Sequence, residues 1–308
     1  MNSFNSLRIK ELTRETNDAV SIAFEVPNDL VNDYTFKAGQ YVTLKTNIDG
    51  EEVRRAYSIC SSITSGDLRV AVKAVPNGVF STYANTKLNE NDYLDVSTPE
   101  GKFLIDCDAS NQKNYAAFAA GSGITPILSM ITSVLEREPN STFTLLYGNK
   151  SVNDTIFYNQ LNDLKNLYED RFTLIYIFSR AKEPNALTGR IDGNVVKYLT
   201  KNRCKDIDFD AFYLCGPEAM INIVSETLLE EGINKEDIYF ELFTSTVSEV
   251  PEMISGDFNE TSLTIIVDDE THEITAKAEK FILDACLDHD LDVPYSCQGG
   301  VCSSCIGT

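Results

Sequence analysis

The chain has 308 residues, enough for two or three domains with cores of their own, and its 43% hydrophobic and 24% charged content is ordinary for a globular protein. A formal charge of −21 repels phosphate backbones and anionic lipid, which argues against nucleic acid and membrane surfaces as partners. No apolar run approaches the roughly 18 residues of a membrane span, and Met1-Asn2-Ser3-Phe4-Asn5 lacks the basic-then-apolar pattern of a signal peptide, so a cytoplasmic location is expected.

Residues 1–110 form the first expected domain. Val20, Ile22, Phe24 and Val26 alternate with polar residues, as do Val42 and Leu44, then Leu68, Val70 and Val72. Pro27-Asn28-Asp29, Ala38-Gly39, Asp49-Gly50 and Ser65-Gly66-Asp67 punctuate these runs, a spacing that predicts an antiparallel barrel or sandwich. Arg54-Arg55-Ala56-Tyr57-Ser58 is a basic pair followed by a short strand of mixed polarity; taken alone it reads as a strand end on an exposed face. Asn77-Gly78 opens a predicted helix over about Val79–Leu88. The free N–H groups at Gly78-Val79-Phe80-Ser81 suit a pyrophosphate, though a simple helix start explains the same residues.

Residues 111–243 change texture. Apolar strands are predicted at Tyr115–Ala120, Phe143–Tyr147, Phe172–Phe178, Ala211–Leu214 and Ile238–Leu242. Helices are predicted at Thr125–Glu136, Ile156–Leu167, Asn194–Thr200 and Pro217–Glu230. Such alternation means a parallel sheet covered on both faces. Gly121-Ser122-Gly123-Ile124-Thr125-Pro126 follows a strand and opens a helix, where glycines let backbone approach a pyrophosphate. Thr125 is expected to cap and Pro126 to start the helix, although Pro126 replaces the third glycine of the six-residue dinucleotide fingerprint. Ser179-Arg180 ends the third strand, and Arg190 follows Gly189. Arginines beside a nucleotide crevice suit a ribose 2′-phosphate and favour NADPH over NADH, the alternative being plain surface arginines. Cys215-Gly216-Pro217 ends the fourth strand; turn chemistry explains Gly216 and Pro217 but not a cysteine where open α/β sheets bind ligands.

Residues 244–260, rich in Ser, Thr and Glu, read as a linker. A third unit at 261–308 is predicted as strand Leu263–Val267, strand His272–Thr275, helix Glu279–Asp288 and a cysteine loop. From Glu249 to Val293 there are thirteen Asp or Glu and two Lys, about half of the net charge, which reads equally as a solvated surface or as a docking face for a basic partner. Cys60, Cys107, Cys204, Cys215 and Cys286 are scattered and expected to be free thiols. Cys297, Cys302 and Cys305 follow the C-x₄-C-x₂-C spacing of a plant-type [2Fe–2S] site, which Gly299 and Gly300 would let turn toward the metal. Structural zinc is the rival, though zinc usually takes paired ligands from two distant places.

In this order the motifs resemble the ferredoxin–NADP reductase-like family with a C-terminal plant-type ferredoxin domain. Within it they resemble the reductase subunits of multicomponent oxygenases of the phenylacetyl-CoA epoxidase type. The resemblance implies a multidomain fold: an antiparallel β-barrel for FAD, an α/β parallel-sheet nucleotide domain, and an α+β ferredoxin-like β-grasp domain. It implies that Arg55 binds the flavin phosphate and that Tyr57 lies against the isoalloxazine ring, with Ala56 beside it and Ser58 near the reactive N5. Lys73 and Gly78, Val79, Phe80 and Ser81 would complete the FAD site. Gly121, Gly123 and Thr125, with Gly216 and Pro217, would hold the dinucleotide; Ser179, Arg180 and Arg190 would meet the 2′-phosphate. Cys215 would sit close to the nicotinamide, and Glu241 to Phe243 near the flavin. Tyr57, Ser58 and Cys215 are the residues placed at the chemistry, and Cys297, Cys302 and Cys305 at the cluster.

The family's fourth cysteine lies well downstream of the third, and here Thr308 is last. The expectation is a C-terminally truncated piece of a longer protein, its third domain poorly ordered and holding no stable cluster. Cys286 is a poor substitute ligand because it falls inside the preceding helix. The function expected is transfer of electrons from NADPH through FAD and [2Fe–2S] to a partner oxygenase. The alternatives are a flavoprotein that reduces a free ferredoxin, a flavodoxin or a small acceptor, with FMN possible in place of FAD, and a non-redox nucleotide-binding protein with structural zinc.

Overall fold

The structure is a computed structural model that describes residues 3–242, 261–267, 270–277, 280, 282–289 and 291. In its first part, β1 (Phe4–Thr16), β2 (Ala19–Glu25), β3 (Tyr41–Ile48), β4 (Glu51–Ser58), β5 (Leu68–Lys73) and β6 (Tyr93–Ser97) form an antiparallel sheet in the order β4-β3-β6-β1-β2-β5. Ile59, the residue after β4, bridges Val70 of β5, so the two edges meet and the sheet closes into a barrel. The period-2 pattern explains the filling: Val20, Ile22, Phe24, Val42, Leu44, Val70 and Val72 are all buried in one core. Asp49 and Gly50 supply the positive φ values, 54° and 93°, that a tight β3–β4 hairpin demands. Helix α1 (Val79–Thr86) closes one end of the barrel with Phe80 and Ala84.

The second part alternates β7 (Asn114–Ala120), α2 (Ile124–Arg137), β8 (Thr142–Asn149), α3 (Tyr158–Leu167), β9 (Phe172–Phe178), β10 (Leu187–Thr188), α4 (Gly193–Tyr198), β11 (Ala211–Gly216), α5 (Glu218–Glu230) and β12 (Ile238–Leu242). Its parallel sheet runs β10-β9-β8-β7-β11-β12. One face packs against α2 and α3 and the other against α4 and α5, which is why the central strands are apolar on both sides. The strand order grows outward from β7 in both directions. The crevice between the carboxyl ends of β7 and β11 is therefore a topological switch point, the place where such sheets take ligands.

A third unit holds the antiparallel pair β13 (Thr261–Val267) and β14 (Glu270–Ala276) and helix α6 (Ile282–Asp288), with Ile274, Ala276, Ala285 and Cys286 buried together. The expected linker at 244–260, Phe243, and Cys297, Cys302 and Cys305 lie outside the described residues.

Barrel and nucleotide unit share a buried seam. Ala38, Cys60, Phe103 and Ile105 join the core cluster built on α2, and the Phe103 ring meets Tyr213 edge-on at 5.8 Å. The connection through residues 106–113 is held by Glu138, which is fully buried and accepts hydrogen bonds from Tyr115 Oη at 3.1 Å, Asn111 Nδ2 at 2.7 Å and the Asp108 N–H at 3.2 Å. Gly39 lies at this seam: its φ is +101°, and an added Cβ would collide with the Phe103 carbonyl and crowd Met130 Cε at 2.6 Å. Gly39→Ala should therefore lower stability by ~2 kcal/mol or more, combining backbone strain with a steric clash. Gly66→Ala, at φ +66° with open space around it, should cost about 1 kcal/mol. Urea denaturation of the two variants checks the ordering; equal midpoints would contradict the close approach.

Candidate functional site

The end of β4 carries the first half of the site. Arg55 is exposed, donates from Nη1 to the Arg54 carbonyl at 2.6 Å, and makes no ion pair among the described residues. In a chain of net charge −21, an uncommitted guanidinium is a place for an anion. Ala56 and Tyr57 are half-buried. The Tyr57 ring tilts against Phe80 with centroids 5.5 Å apart, and burial pushes its phenol well above the ordinary value. Ser58 is 4% exposed and donates from Oγ to Glu241 Oε2 at 3.3 Å, across the seam.

Helix α1 starts beside this strand end. Asn77 takes φ 60°, Gly78 is extended, and no side chain caps the helix, so its first-turn N–H groups remain open to a ligand. A Cβ on Gly78 would collide with Ser81 Oγ and crowd Val75 Cγ2 at 2.6 Å; the cradle exists because the side chain is absent. Ser81 Oγ is already used, accepting from the Val75 N–H at 3.2 Å, so what Ser81 offers outward is backbone. Phe80 is buried under Tyr57 and Val79 is half exposed. Lys73, at the end of β5, has Asp18 3.7 Å away.

The second half lies at the switch point. Gly121–Gly123 forms a 3-10 turn between β7 and α2. Gly121 has φ +55° with nothing within 4 Å of where a Cβ would be, so its backbone faces open space. Tyr147 Oη donates to the Gly121 carbonyl at 2.9 Å and fixes the turn. A Cβ on Gly123 would collide with the Cys215 carbonyl, and Gly216, at φ +156°, packs against Ala120 and Met220; the β7 and β11 turns approach this closely only because both residues are glycine. The expected Thr125 cap does not form. The 3-10 turn places Gly123 at the cap position, Thr125 falls inside the first turn, and its hydroxyl donates back to the Ser122 carbonyl at 3.1 Å. Pro217, not a helical residue as predicted, is the cap of α5 with ψ 141°.

Cys215 is fully buried and pairs in register with Glu241 of β12. Burial, then the negative charge of Glu241, raises its thiol far above the usual range, so the sulfur stays protonated and neutral. Ser58, Glu241 and Cys215, which come from both units, thus converge at the seam. At the far side of the crevice Ser179 and Arg180 are exposed past the end of β9. Their N–H groups donate to the Asn149 and Lys150 carbonyls at 3.0 and 2.9 Å, while the Gly189 N–H donates to Phe178 at 2.9 Å and brings Arg190 alongside. The side chains of Lys150, Arg180 and Arg190 are exposed and make no ion pair among the described residues. Lys150 and Tyr147 escape the sequence patterns. Lys150 could be found as the strand-end counterpart of Arg180; a tyrosine inside an apolar strand gives no signal.

Among the described residues no group of His, Cys, Asp or Glu is arranged to hold a metal ion. His289 places Nε2 3.1 Å from the Thr275 carbonyl, and Cys286 is 3% exposed inside the small core beside α6, as its helical position implied.

Three family models match the chain: the oxidoreductase FAD-binding domain over residues 6–105, the oxidoreductase NAD-binding domain over 118–226, and the 2Fe-2S iron-sulfur cluster binding domain over 265–308. The last decides against reading the cysteines as structural zinc. One of the subunits of 1,2-phenylacetyl-CoA epoxidase from Escherichia coli K12 is 39% identical over 307 residues, covering 99% of this chain and 86% of the relative. The ferredoxin reductase component of 3-ketosteroid-9-alpha-monooxygenase from Mycolicibacterium smegmatis is 29% identical, covering 97% and 84%. Phthalate dioxygenase reductase has the same fold, with TM-score 0.68 at 23% identity over 98% of this chain and 85% of that one. A ferredoxin NADP+ reductase from Neisseria gonorrhoeae, solved with FAD and NADP, superposes with TM-score 0.64 at 23% identity over 79% of this chain and 99% of that one. The FAD-binding barrel, the NAD-binding sheet and the 2Fe-2S domain in one polypeptide make this chain a member of the ferredoxin–NADP reductase-like family of electron-transfer oxidoreductases, close to the reductase components of oxygenases.

Proposed function

We propose that the chain is the NADPH-dependent reductase component of an oxygenase system, supplying electrons to a partner of the phenylacetyl-CoA epoxidase type. The observation that carries the reading is the convergence of Ser58, Glu241 and Cys215 where the barrel meets the nucleotide sheet. It puts the end of the flavin strand opposite the switch-point crevice. Identity of 39% along nearly the whole chain to a component of a phenylacetyl-CoA epoxidase supports the choice of partner.

The residues present fit FAD. Arg55 would meet a phosphate with a guanidinium that no carboxylate answers among the described residues, and the uncapped start of α1 at Gly78 would receive the pyrophosphate on backbone N–H groups. Tyr57, braced from behind by Phe80, would lie along the ring. Bound there, FAD supplies the conversion between hydride, a two-electron reductant, and the single electrons that an iron–sulfur centre carries. Ser58 Oγ donates a hydrogen bond to Glu241, which orients the hydroxyl at the strand end that would face the ring edge. The neutral Cys215 thiol and its glycine neighbours shape a dry floor for a nicotinamide.

For the second cofactor, Gly121 and Gly123 would take the dinucleotide pyrophosphate, and Lys150, Arg180 and Arg190 with Ser179 would take a 2′-phosphate. Cys297, Cys302 and Cys305 would hold the iron–sulfur cluster.

Two variants test the assignment. Arg55→Ala should release FAD during gel filtration while the far-ultraviolet circular dichroism is unchanged; full flavin occupancy would contradict the phosphate role. Arg180→Ala should raise KM for NADPH about tenfold more than KM for NADH, the loss of one charge-assisted hydrogen bond. Equal effects on the two cofactors would remove the ground for preferring NADPH.

A further inference from the structure

Helix α2 makes a second connection to the barrel that none of the cofactor contacts uses. Ser129, Ser133 and Glu136 lie at i, i+4 and i+7, on one stripe of the helix. Facing them is the segment 59–65, which leaves β4 directly after Ser58. Ser129 Oγ donates to the Ser61 carbonyl at 2.7 Å, and Ser133 Oγ accepts from the Ile63 N–H at 3.1 Å. The Glu136 carboxylate accepts from the hydroxyls of both Ser62 and Thr64. Ser129 and Ser133 are fully buried and Ser62 is 4% exposed, so the serine bonds sit in the seam, while Glu136 and Thr64 are exposed at its rim. The segment is stiff in itself: Ser61 Oγ donates to the Asp67 carbonyl at 2.6 Å and Ser65 Oγ to the Ser62 carbonyl at 2.6 Å.

The position of this contact sets what it does. One end of α2 opens at the Gly121–Gly123 turn, and its stripe of polar contacts reaches residues only a few positions past Ser58. The path from flavin strand to dinucleotide turn is thus a short rigid loop, four hydrogen bonds and a helix. Packing at Gly39 and Met130 brings the units together without a directional bond between them. Hydrogen bonds to both backbone and side chains fix the register.

We propose that Ser129, Ser133 and Glu136, with Ser62 and Thr64, form a latch that positions the two cofactor sites for hydride transfer. These are positioning residues: none touches a cofactor site. The inference rests on the flavin and dinucleotide sites proposed above, and extends them by naming what sets their separation. A misplacement of about 1 Å can cost on the order of a hundredfold in rate, so loosening the latch should be read in the rate of flavin reduction before it is read in binding.

The test uses the full chain and three variants: Glu136→Ala, Glu136→Gln, which keeps an acceptor oxygen, and Ser133→Ala. Bleaching of the visible flavin band by saturating NADPH is followed anaerobically by stopped flow. Amide hydrogen exchange of the 59–65 segment is measured with and without flavin. Ser133→Ala and Glu136→Ala should bleach at least about tenfold more slowly, with flavin content and KM for NADPH unchanged. Exchange of the segment should rise in the flavin-free chain as well, and Glu136→Gln should recover most of the rate. Wild-type bleaching rates in Ser133→Ala and Glu136→Ala would overturn the latch, as would a loss of rate that only follows a loss of flavin. If the unaltered flavin-loaded chain is not bleached by NADPH, the cofactor reading fails and the latch falls with it; a bleaching parent with unaffected variants sinks the latch alone.

Discussion

The architecture depends on how closely two sheets can bring their strand ends together. The barrel ends β4 at Ser58, the parallel sheet ends β11 at Gly216, next to Cys215, and β12 just past Glu241, and the hydrogen bond from Ser58 to Glu241 spans the gap. Nothing larger than hydrogen fits at Gly39 or Gly123. Gly123 lets the β7 and β11 turns close on each other within the parallel unit, while Gly39 lets the barrel turn pack under Met130 of α2. A buried Glu138 at the opposite end of the seam ties down the connecting segment, so the approach is fixed at both ends.

Sequence patterns reveal the parallel unit best. Phe172–Phe178 and Ile238–Leu242 are found where the apolar runs place them; turn residues bound both, and β9 is mostly buried, which needs an unbroken apolar run. The barrel is harder to read. Strand β1 is long, but Arg8, Lys10, Glu11 and Arg14 interrupt it, and register shifts between Ile9 and Glu11 and between Arg14 and Thr16 break the alternation. Strand β10 has two residues, too few for any period. Threonine before an apolar run usually caps a helix, which is why Thr125 is expected to; the local sequence carries no sign that Gly121–Gly123 forms a 3-10 turn and moves the helix start.

The site follows the same division. Residues tied to local backbone geometry, Gly78, Gly121, Gly123 and Gly216, can be picked from the chain because glycine at a strand–helix turn has few other reasons to be there. Residues whose role is made by another element cannot. Tyr147 matters because its hydroxyl reaches Gly121, Lys150 because β8 ends beside β9, and Ser129, Ser133 and Glu136 because the segment after Ser58 lies over them. On the helix they look like ordinary polar positions; only the docked barrel shows that the two serines are buried.

The acidity of the chain sharpens the meaning of its few cations. Arg55, proposed for the flavin phosphate, and Lys150, Arg180 and Arg190, proposed for the 2′-phosphate, make no ion pairs among the described residues, while Arg8, Arg69 and Lys45 on the barrel are paired. The central claim is that both cofactors share the seam, ring on ring, at Ser58, Glu241 and Cys215. It is tested most directly by adding NADP+ to the chain loaded with FAD and chemically reduced, and recording the absorption spectrum beyond the flavin bands. A new long-wavelength charge-transfer band, lost in Ser58→Ala or Cys215→Ala, is the expected result; tight binding of both cofactors with no such band would place them apart and contradict the account.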